Sequence, residues 1–379
     1  MPGSFRIARV FGIDIRVHLS WVLIFLLFTY QQSLEFDVFY PTWSTGKTVI
    51  VGAITALLFF TSVVVHELAH SLVALRFKMA VSSITLFLLG GVASLTREPP
   101  TAKAEFFMAA AGPATSFTIG GLSWAASALL GTPPRDTFAQ VLNAVLDSLA
   151  YINTAVAIFN LIPGFPLDGG RVLRASIWGI TGKQGVSTRI AARGGQIVAA
   201  LFALAGGYFV LGEGQSAGLW WGLIAYFLYG AATQTLHQER VTTAIGGARV
   251  SQVATTEFVA VPRGTSIASA VREYLMPRNL RALAVAADGR FAGLVTIGDL
   301  RKVEQELWPT TSVDSVMTPA SDIPAVGPND PLASALDKFG PELPLLPVVE
   351  NDTLRGLLYR ESVLGYVRMR EMLGFDERR

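Results

Sequence analysis

The chain has 379 residues, enough for two or three domains; 51% are hydrophobic and only 15% charged, where a soluble protein carries roughly 25% charged residues. A net charge of +2 leaves no basic surplus to neutralise phosphates and argues against a nucleic-acid partner. There is no cysteine, which excludes disulfides and thiolate metal sites, so a transition metal must be held by carboxylates and the four histidines, His18, His66, His70 and His237.

The charges are unevenly spread. The first 240 residues are apolar runs separated by short polar loops, and from about 241 the chain reads as a soluble domain. The polar, glycine-containing stretch His237–Arg249 marks the boundary, giving domains 1–240 and 241–379. A membrane crossing takes about 20 mainly apolar residues. Val17–Tyr30 is the core of a first, too long for a signal peptide and without a small-residue cleavage site, so it is read as retained. Val49–Leu75 is a second, Phe106–Leu130 a third, Val141–Ile162 a fourth, and Ile197–Leu211 and Leu219–Leu236 a fifth and sixth. Six such runs leave too little polar surface to cover them in water. The fold expected is therefore an α-helical polytopic membrane domain of about six crossings, followed by a soluble α/β module.

Lysine and arginine collect on the cytoplasmic side of a membrane. Arg6, Arg9 and Arg16 precede the first run; Arg76, Lys78, Arg97 and Lys103 follow the second; Arg171, Arg174, Lys183, Arg189 and Arg193 follow the fourth. The opposite loops hold only Lys47 and Arg135. Both termini are thus expected in the cytoplasm, in a multi-pass protein of the cell membrane. Between runs two and three, Ser82–Leu95 is β-compatible with a turn at Gly90-Gly91. It reads as a short hairpin or re-entrant element at membrane depth, where protein or a water-filled cavity must satisfy its backbone.

His66-Glu67-Leu68-Ala69-His70 lies inside the second run. Four residues apart on a helix, the two imidazoles share one face and can bind one metal ion, with Glu67 beside them to take a proton from a metal-activated water. Such a pentapeptide also arises by chance on soluble helices, but three ionisable groups in hydrocarbon are costly and mark function. A catalytic zinc needs a third protein ligand. His18 and His237 fall at the edges of runs one and six, in interfacial positions. Asp168, in Asn160-Leu-Ile-Pro-Gly-Phe-Pro-Leu-Asp168-Gly-Gly-Arg171, follows a run broken by prolines and glycines that can turn it inward, although spacing alone equally allows a plain loop aspartate.

HELAH in one run and FNLIPGFPLDGGRVLRA in a later one resemble the site-2 protease family of intramembrane zinc metalloproteases, as do LFLLGGVAS and Ala111-Gly-Pro-Ala-Thr-Ser116, over roughly residues 5–240. The resemblance implies one catalytic Zn2+ held by His66, His70 and Asp168, with Glu67 as general base and Asn160 positioning substrate or stabilising the oxyanion. Pro163 and Pro166 keep the family's spacing, while Ser116 stands where many members have asparagine. It further implies a transmembrane protein substrate in the bilayer, such as a membrane-bound regulatory protein cut to release a cytoplasmic fragment. A transmembrane helix hides its carbonyls in hydrogen bonds and must unwind before hydrolysis. The unwound segment could pair with a strand edge of residues 82–95; otherwise that element plugs the cavity.

Residues 250–303 and 313–370 look like two copies of one unit, each opening on Val-x-x-Val (Val250–Val253, Val313–Val316), then a helix, strand, turn, strand and helix. They resemble a pair of CBS domains, which commonly bind adenine nucleotides. The family's ribose-binding turn Gly-x-x-Thr/Ser-x-x-Asp is matched by Gly293, Thr296 and Asp299, whereas Gly356, Tyr359 and Ser362 depart from it. The resemblance thus implies ATP or AMP as a regulator at Thr296 and Asp299, or else a pair that serves packing or homodimer formation. A CBS-regulated transporter would show repeated halves and a charged path, and a non-catalytic membrane chaperone would have lost Glu67 or Asp168; neither feature is present.

Overall fold

The computed structural model describes residues 3–87, 90–95, 99–216, 218–256, 258–280, 282–287, 290–336, 338–340, 343–351 and 353–373. Arg97 of the loop charges, Leu88 and Leu89 of the expected hairpin, and Asp288, Gly289, Asp337 and Asp352 of the repeats lie outside the described residues. The chain divides into two compact units, Met1–His237 and Gln238–Arg379.

The first unit opens with strands β1 (Ser4–Val10) and β2 (Ile13–His18), antiparallel and joined at Phe11-Gly12, both with positive φ (50° and 83°). Helix α1 (Ser20–Phe39) leads to the long α2 (Thr45–Arg76). Strands β3 (Val81–Phe87) and β4 (Gly90–Leu95) follow, then α3 (Ala102–Leu130), α4 (Phe138–Asn160), α5 (Asp168–Thr181), α6 (Gln184–Gly207) with a π turn at Tyr208–Gly212, and α7 (Gly218–Ile245). Hydroxyl caps start α2, α3 and α4: the side chains of Ser44, Thr101 and Thr137 accept from the backbone N–H three residues on, satisfying donors that a helix start leaves open.

The sheet runs β1-β2-β3-β4, with β2 and β3 parallel and β4 on the edge. The stretch Ser82–Leu95 is therefore not a lone hairpin but half of a sheet completed by the N-terminal residues. Val17 and His18, assigned above to the first membrane crossing, belong to β2, and the helix starts only at Ser20. Ile13, Ile15 and Val17 are buried while the residues between them are half-buried; this two-residue period is a strand's, and it is too short to stand out beside the apolar run that follows.

Among the described residues, four helices are long and apolar enough to cross a membrane: α1, α2, α4 and Gln184–Gly212. The third and sixth crossings expected above lie on α3 and α7, of 29 and 28 residues, whose apolar character is diluted by glycine, serine, threonine and tryptophan. A further correction concerns α5: Arg171 and Arg174, read as loop charges, lie on this helix, and Arg174 is mostly buried. Small residues let the helices close on one another. A Cβ on Gly52 of α2 would meet the Thr29 carbonyl oxygen of α1 at 2.9 Å, and one on Gly120 of α3 would meet Thr154 Oγ1 of α4 at 2.7 Å. In lipid, where apolar surface gains nothing by leaving the solvent, such backbone approach carries the association.

In the second unit, β5 (Ala260–Pro262), β6 (Ala282–Ala287), β7 (Arg290–Thr296), β10 (Thr353–Tyr359) and β9 (Leu345–Glu350) lie side by side in that order, and β8 (Thr318–Pro319) pairs with β7. The two hairpins β6–β7 and β9–β10 each feed a helix, Ile297–Leu300 and Arg360–Met372. The two repeats exchange their opening segments. Val250, with Ile245 and Ala248, is buried among Leu332, Leu346 and Leu358 of repeat two, and Val313 among Ile267, Leu283 and Val295 of repeat one. The backbone repeats the symmetry: Val250 N donates to Asp330 O (3.0 Å) and Leu332 N to Ala248 O (2.8 Å), while Val313 N donates to Thr265 O and Ile267 N to Thr311 O (both 2.9 Å). The stretch His237–Arg249, read above as the domain boundary, thus contributes two core residues. Neither repeat has a complete core alone, so a chain ended after Val303 should lose its 250–303 region to limited proteolysis while the full chain resists.

Candidate metal centre

His66 and His70, one turn apart on α2, turn their Nε2 atoms toward each other at 3.1 Å. Asp168 Oδ2 lies 3.2 Å from both. These three atoms form a nearly equilateral triangle in a buried to half-buried setting. A tetrahedral zinc with bonds of about 2.0–2.1 Å separates its ligands by about 3.3 Å, so the triangle has the size of one face of such a site. The tautomers agree with it. His70 Nδ1 lies 2.6 Å from the Met108 carbonyl oxygen, which can only accept, so Nδ1 carries the proton and Nε2 presents a lone pair. His66 Nδ1 lies 2.9 Å from Ser116 Oγ, a hydroxyl that accepts from the ring when Nδ1 carries the proton. With both protons on Nδ1, two lone pairs face a carboxylate and suit a cation, and the space is kept: a Cβ on Gly112 would fall 2.2 Å from His70 Nε2 and 2.5 Å from His66 Nε2. The residues fit a zinc ion.

The chain brings Asp168 to α2 through a tightly packed turn. Phe165 N donates to Ala191 O of α6 (3.1 Å), and the Phe165–Pro166 bond is cis. Glycines allow backbone to meet backbone. A Cβ on Gly195 would lie 2.0 Å from Phe165 O, one on Gly170 2.4 Å from Phe165 N, and one on Gly169 2.3 Å from Leu161 O. The last approach sets the end of α4, where half-buried Asn160 sits, beside the residue after Asp168. Asn160's side chain has no hydrogen bond among the described residues, which leaves its amide free to serve a bound molecule. Helix α5 is fastened to α3 by Arg174, whose Nε donates to Glu105 Oε1 at 2.7 Å and whose Nη2 contacts the same oxygen. Glu105 is fully buried. Helix α3 therefore holds both sides of the site: Met108 and Ser116 orient the histidines, and Glu105 anchors the helix that begins with Asp168.

Glu67 lies between the histidines in sequence and against β4 in space. A Cβ on Gly91 would come 2.6 Å from Glu67 Cγ and 3.4 Å from its Oε1, so only glycine lets the edge strand pass the carboxylate. Of the other histidines, His18 Nδ1 pairs with Ser20 Oγ (2.8 Å) at the start of α1, and neither it nor His237 joins the cluster. The motif pointed to the histidines and the aspartate. Gly112, Gly91, Met108 and the Glu105–Arg174 pair were not anticipated, although Ala111-Gly-Pro-Ala-Thr-Ser116 had carried a resemblance and contains both Gly112 and Ser116.

In the second unit, Thr296 and Asp299 meet at the turn from β7 into Ile297–Leu300. Asp299 Oδ2 accepts from Thr296 N (3.1 Å) and Thr296 Oγ1 (2.7 Å), and Asp299 N donates to Thr296 Oγ1 (3.3 Å), a reciprocal cap. Desolvation pushes the Asp299 carboxyl up, but hydrogen bonds from Lys302 (2.9 Å) and Thr296 outweigh it and hold it below the usual carboxylate range. Gly293 has a packing reason of its own, since a Cβ there would lie 2.6 Å from Thr318 O of β8.

Comparison with known proteins gives a consistent result. The chain matches peptidase family M50 over residues 54–145 and 132–205, and the CBS domain over 250–306 and 313–369. It is 36% identical over 371 residues to a Synechocystis protein whose name, sll0528, assigns it to the zinc metalloproteases, covering 96% of this chain and 95% of that one. It is 27% identical over 379 residues to the zinc metalloprotease MJ0392 of Methanocaldococcus jannaschii, covering 98% of each. Among solved structures, the site-2 protease from Methanocaldococcus jannaschii matches at 30% identity and a TM-score of 0.43, covering 62% of this chain and 95% of that one.

The two glycines separate metal binding from rate. Gly112→Ala should abolish zinc retention, read by metal analysis of the purified protein, with helical content by circular dichroism unchanged. Gly91→Val should keep the zinc and lower turnover by displacing Glu67. Ser116→Ala should weaken zinc about 10–100-fold in chelator competition, the usual cost of removing a partner that orients a ligand.

Proposed function

The chain belongs to peptidase family M50, as a zinc metalloendopeptidase of the site-2 protease type with a CBS-type C-terminal region, and we propose that it hydrolyses peptide bonds in or near transmembrane segments of membrane-bound regulatory proteins. The observation that carries this reading is the 3.1–3.2 Å triangle of His66, His70 and Asp168 beside Glu67, on a helix long and apolar enough to cross a membrane. His66, His70 and Asp168 would hold the zinc. When bound, the ion supplies a Lewis acid that polarises the scissile carbonyl and lowers the pKa of a water toward ~7.

The chain's own residues do the rest. Glu67 takes the proton of the attacking water and passes it to the departing amine. Asn160 donates its amide to the developing oxyanion or to the substrate backbone. The outer edge of β4 pairs with the unwound substrate segment, and β4 lies beside the base because Gly91 lets it approach. The Met108 carbonyl keeps His70 in one tautomer, and Ser116 accepts from His66 in the matching one.

The domain division is drawn at 1–240 and 241–379, with about six crossings, β3 and β4 at membrane depth and both termini cytoplasmic, a reading supported by the lysine and arginine asymmetry. In the C-terminal region, an adenine nucleotide, ATP or AMP, would place its ribose hydroxyls on Thr296 and on the ionised Asp299, exchanging the cap's internal hydrogen bonds for bonds to the ligand. Nucleotide occupancy then modulates proteolysis.

Glu67→Gln should retain zinc and lose about 10²–10⁴-fold in cleavage of a model transmembrane substrate, the range for removal of a general base. An equal rate in wild type and variant, or a wild type without metal, would remove the hydrolytic reading. Titration with ATP and AMP should change the wild-type rate, and Asp299→Ala should flatten that response; a flat wild-type titration would leave the CBS pair a packing role.

A further inference from the structure

Helix α5 carries two arginines in different settings. Arg174 is taken up by Glu105 of α3. Arg171, one turn earlier and half-buried, has no side-chain hydrogen bond and no ion pair among the described residues. Its backbone N–H closes the first turn on the Leu167 carbonyl oxygen (3.4 Å), so the main chain is held and only the side chain is uncommitted. A partly buried guanidinium, all donors and no acceptor, is costly unless a ligand completes it.

Placement says which site it serves. Arg171 follows Asp168 by three residues, a spacing that sets side chains on one face of a helix, and Asp168 is the carboxylate of the histidine triangle. The charge of Arg171 also acts on the Glu67 carboxylate, without an ion-pair contact between them. Glu67 in turn lies against β4. Arg171 is therefore an uncommitted cation near the metal centre and the base.

The chemistry of hydrolysis decides what such a cation can hold. Water adds a hydroxyl to the carbonyl carbon, the C–N bond breaks, and the nitrogen takes the remaining proton. Once the new acid has passed its own proton to the amine, one fragment ends in a carboxylate and the other in an ammonium. Only the acyl side gains negative charge. A guanidinium repels the ammonium and matches the carboxylate with two parallel N–H bonds. Its attraction for the same oxygen grows as a neutral carbonyl becomes an oxyanion, so the contact is stronger in the transition state than in the substrate.

We propose that Arg171 binds the acyl side of the scissile bond, donating to its carbonyl oxygen during hydrolysis and holding the new C-terminal carboxylate afterwards. The proposal rests on the chain acting as a peptidase and adds a substrate-binding residue to that reaction.

The test uses the full-length Glu67→Gln protein in a neutral detergent, with zinc content measured for every variant. The probe is a short fluorescent leucine–alanine peptide ending either in a free carboxylate or in an amide. The free carboxylate should bind about tenfold more tightly. Adding Arg171→Gln should reduce that preference to about twofold or less at unchanged zinc content, and Arg171→Lys should keep part of it, because a cation remains. Comparing proteins cancels any difference in how the two peptides enter the detergent. No preference at the outset, or one undiminished by Arg171→Gln, overturns the proposal. Loss of zinc in both Arg171 variants also overturns it, since the residue would then only support the fold. An amidated peptide ending in glutamate that binds as well as the free carboxylate overturns the assignment to the new terminus in favour of an acidic side chain. With Glu67 intact, Arg171→Gln should lower kcat on a model transmembrane substrate about 10²-fold with KM little changed; a change in KM alone overturns the transition-state contact. A wild type that cuts no such substrate, while the carboxylate preference still depends on Arg171, removes the peptidase reading and leaves a carboxylate-binding site.

Discussion

Two imidazole nitrogens 3.1 Å apart, both facing one carboxylate oxygen, are the constraint on which the first unit depends. In water these groups would drift apart, and in hydrocarbon each would be expensive to bury. A bound metal would repay that burial, and groups on neighbouring elements orient both rings. A carbonyl at Met108 decides the tautomer of His70, and Ser116 serves His66 with a single hydroxyl. A short hydroxyl on the facing helix is enough to reach the ring nitrogen.

Glycine supplies the remaining precision. The proposed site needs a gap at α3, a strand passing Glu67 at β4 and a turn pressed onto α6, and Gly112, Gly91 and Gly195 stand at these places. In each case the missing Cβ matters because another atom occupies its space, not because the backbone takes a left-handed conformation. The buried Arg174–Glu105 pair works differently. An internal ion pair is a poor source of stability compared with apolar packing of the same volume, yet breaking one is severe because a charge is left without a partner. Set between α3 and α5, it makes any displacement of Asp168 from the histidines costly, so it acts through geometry more than through net energy.

Much of this was legible in the sequence, and the unread parts share a physical origin. The pentapeptide His66–His70 and the proline-broken stretch to Asp168 are local patterns, and the structure brings those residues together. The long apolar runs gave the helices, because periodicity and length survive without knowledge of tertiary contacts. The strands β1 and β2 were missed because their alternation spans only a few residues next to a longer apolar signal. Helix α5 was read as loop because its arginines resembled cytoplasmic charges; only the facing Glu105, 69 residues away in sequence, reveals that one of them is internal. Gly112 had no side chain to suggest a role, and the space it leaves exists only once α2 and α3 are packed.

The second unit shows how a repeat can mislead about where a folding unit ends. The two copies are correct as sequence, yet each opening segment, Val250 in one and Val313 in the other, is buried in the opposite copy. A ligand at the Thr296–Asp299 turn would therefore not act on one repeat alone. That turn closes β7, β7 pairs with both β10 and β8, and Gly293 and Gly356 each lie against the backbone that enters from the other repeat, at Thr318 and Thr255. Because Asp299 is already ionised and engaged in capping, a diol must displace internal hydrogen bonds of similar strength, so little net energy comes from the exchange itself. What a ligand changes is which groups the turn holds, and the interleaved backbone is the route by which such a change would reach both repeats.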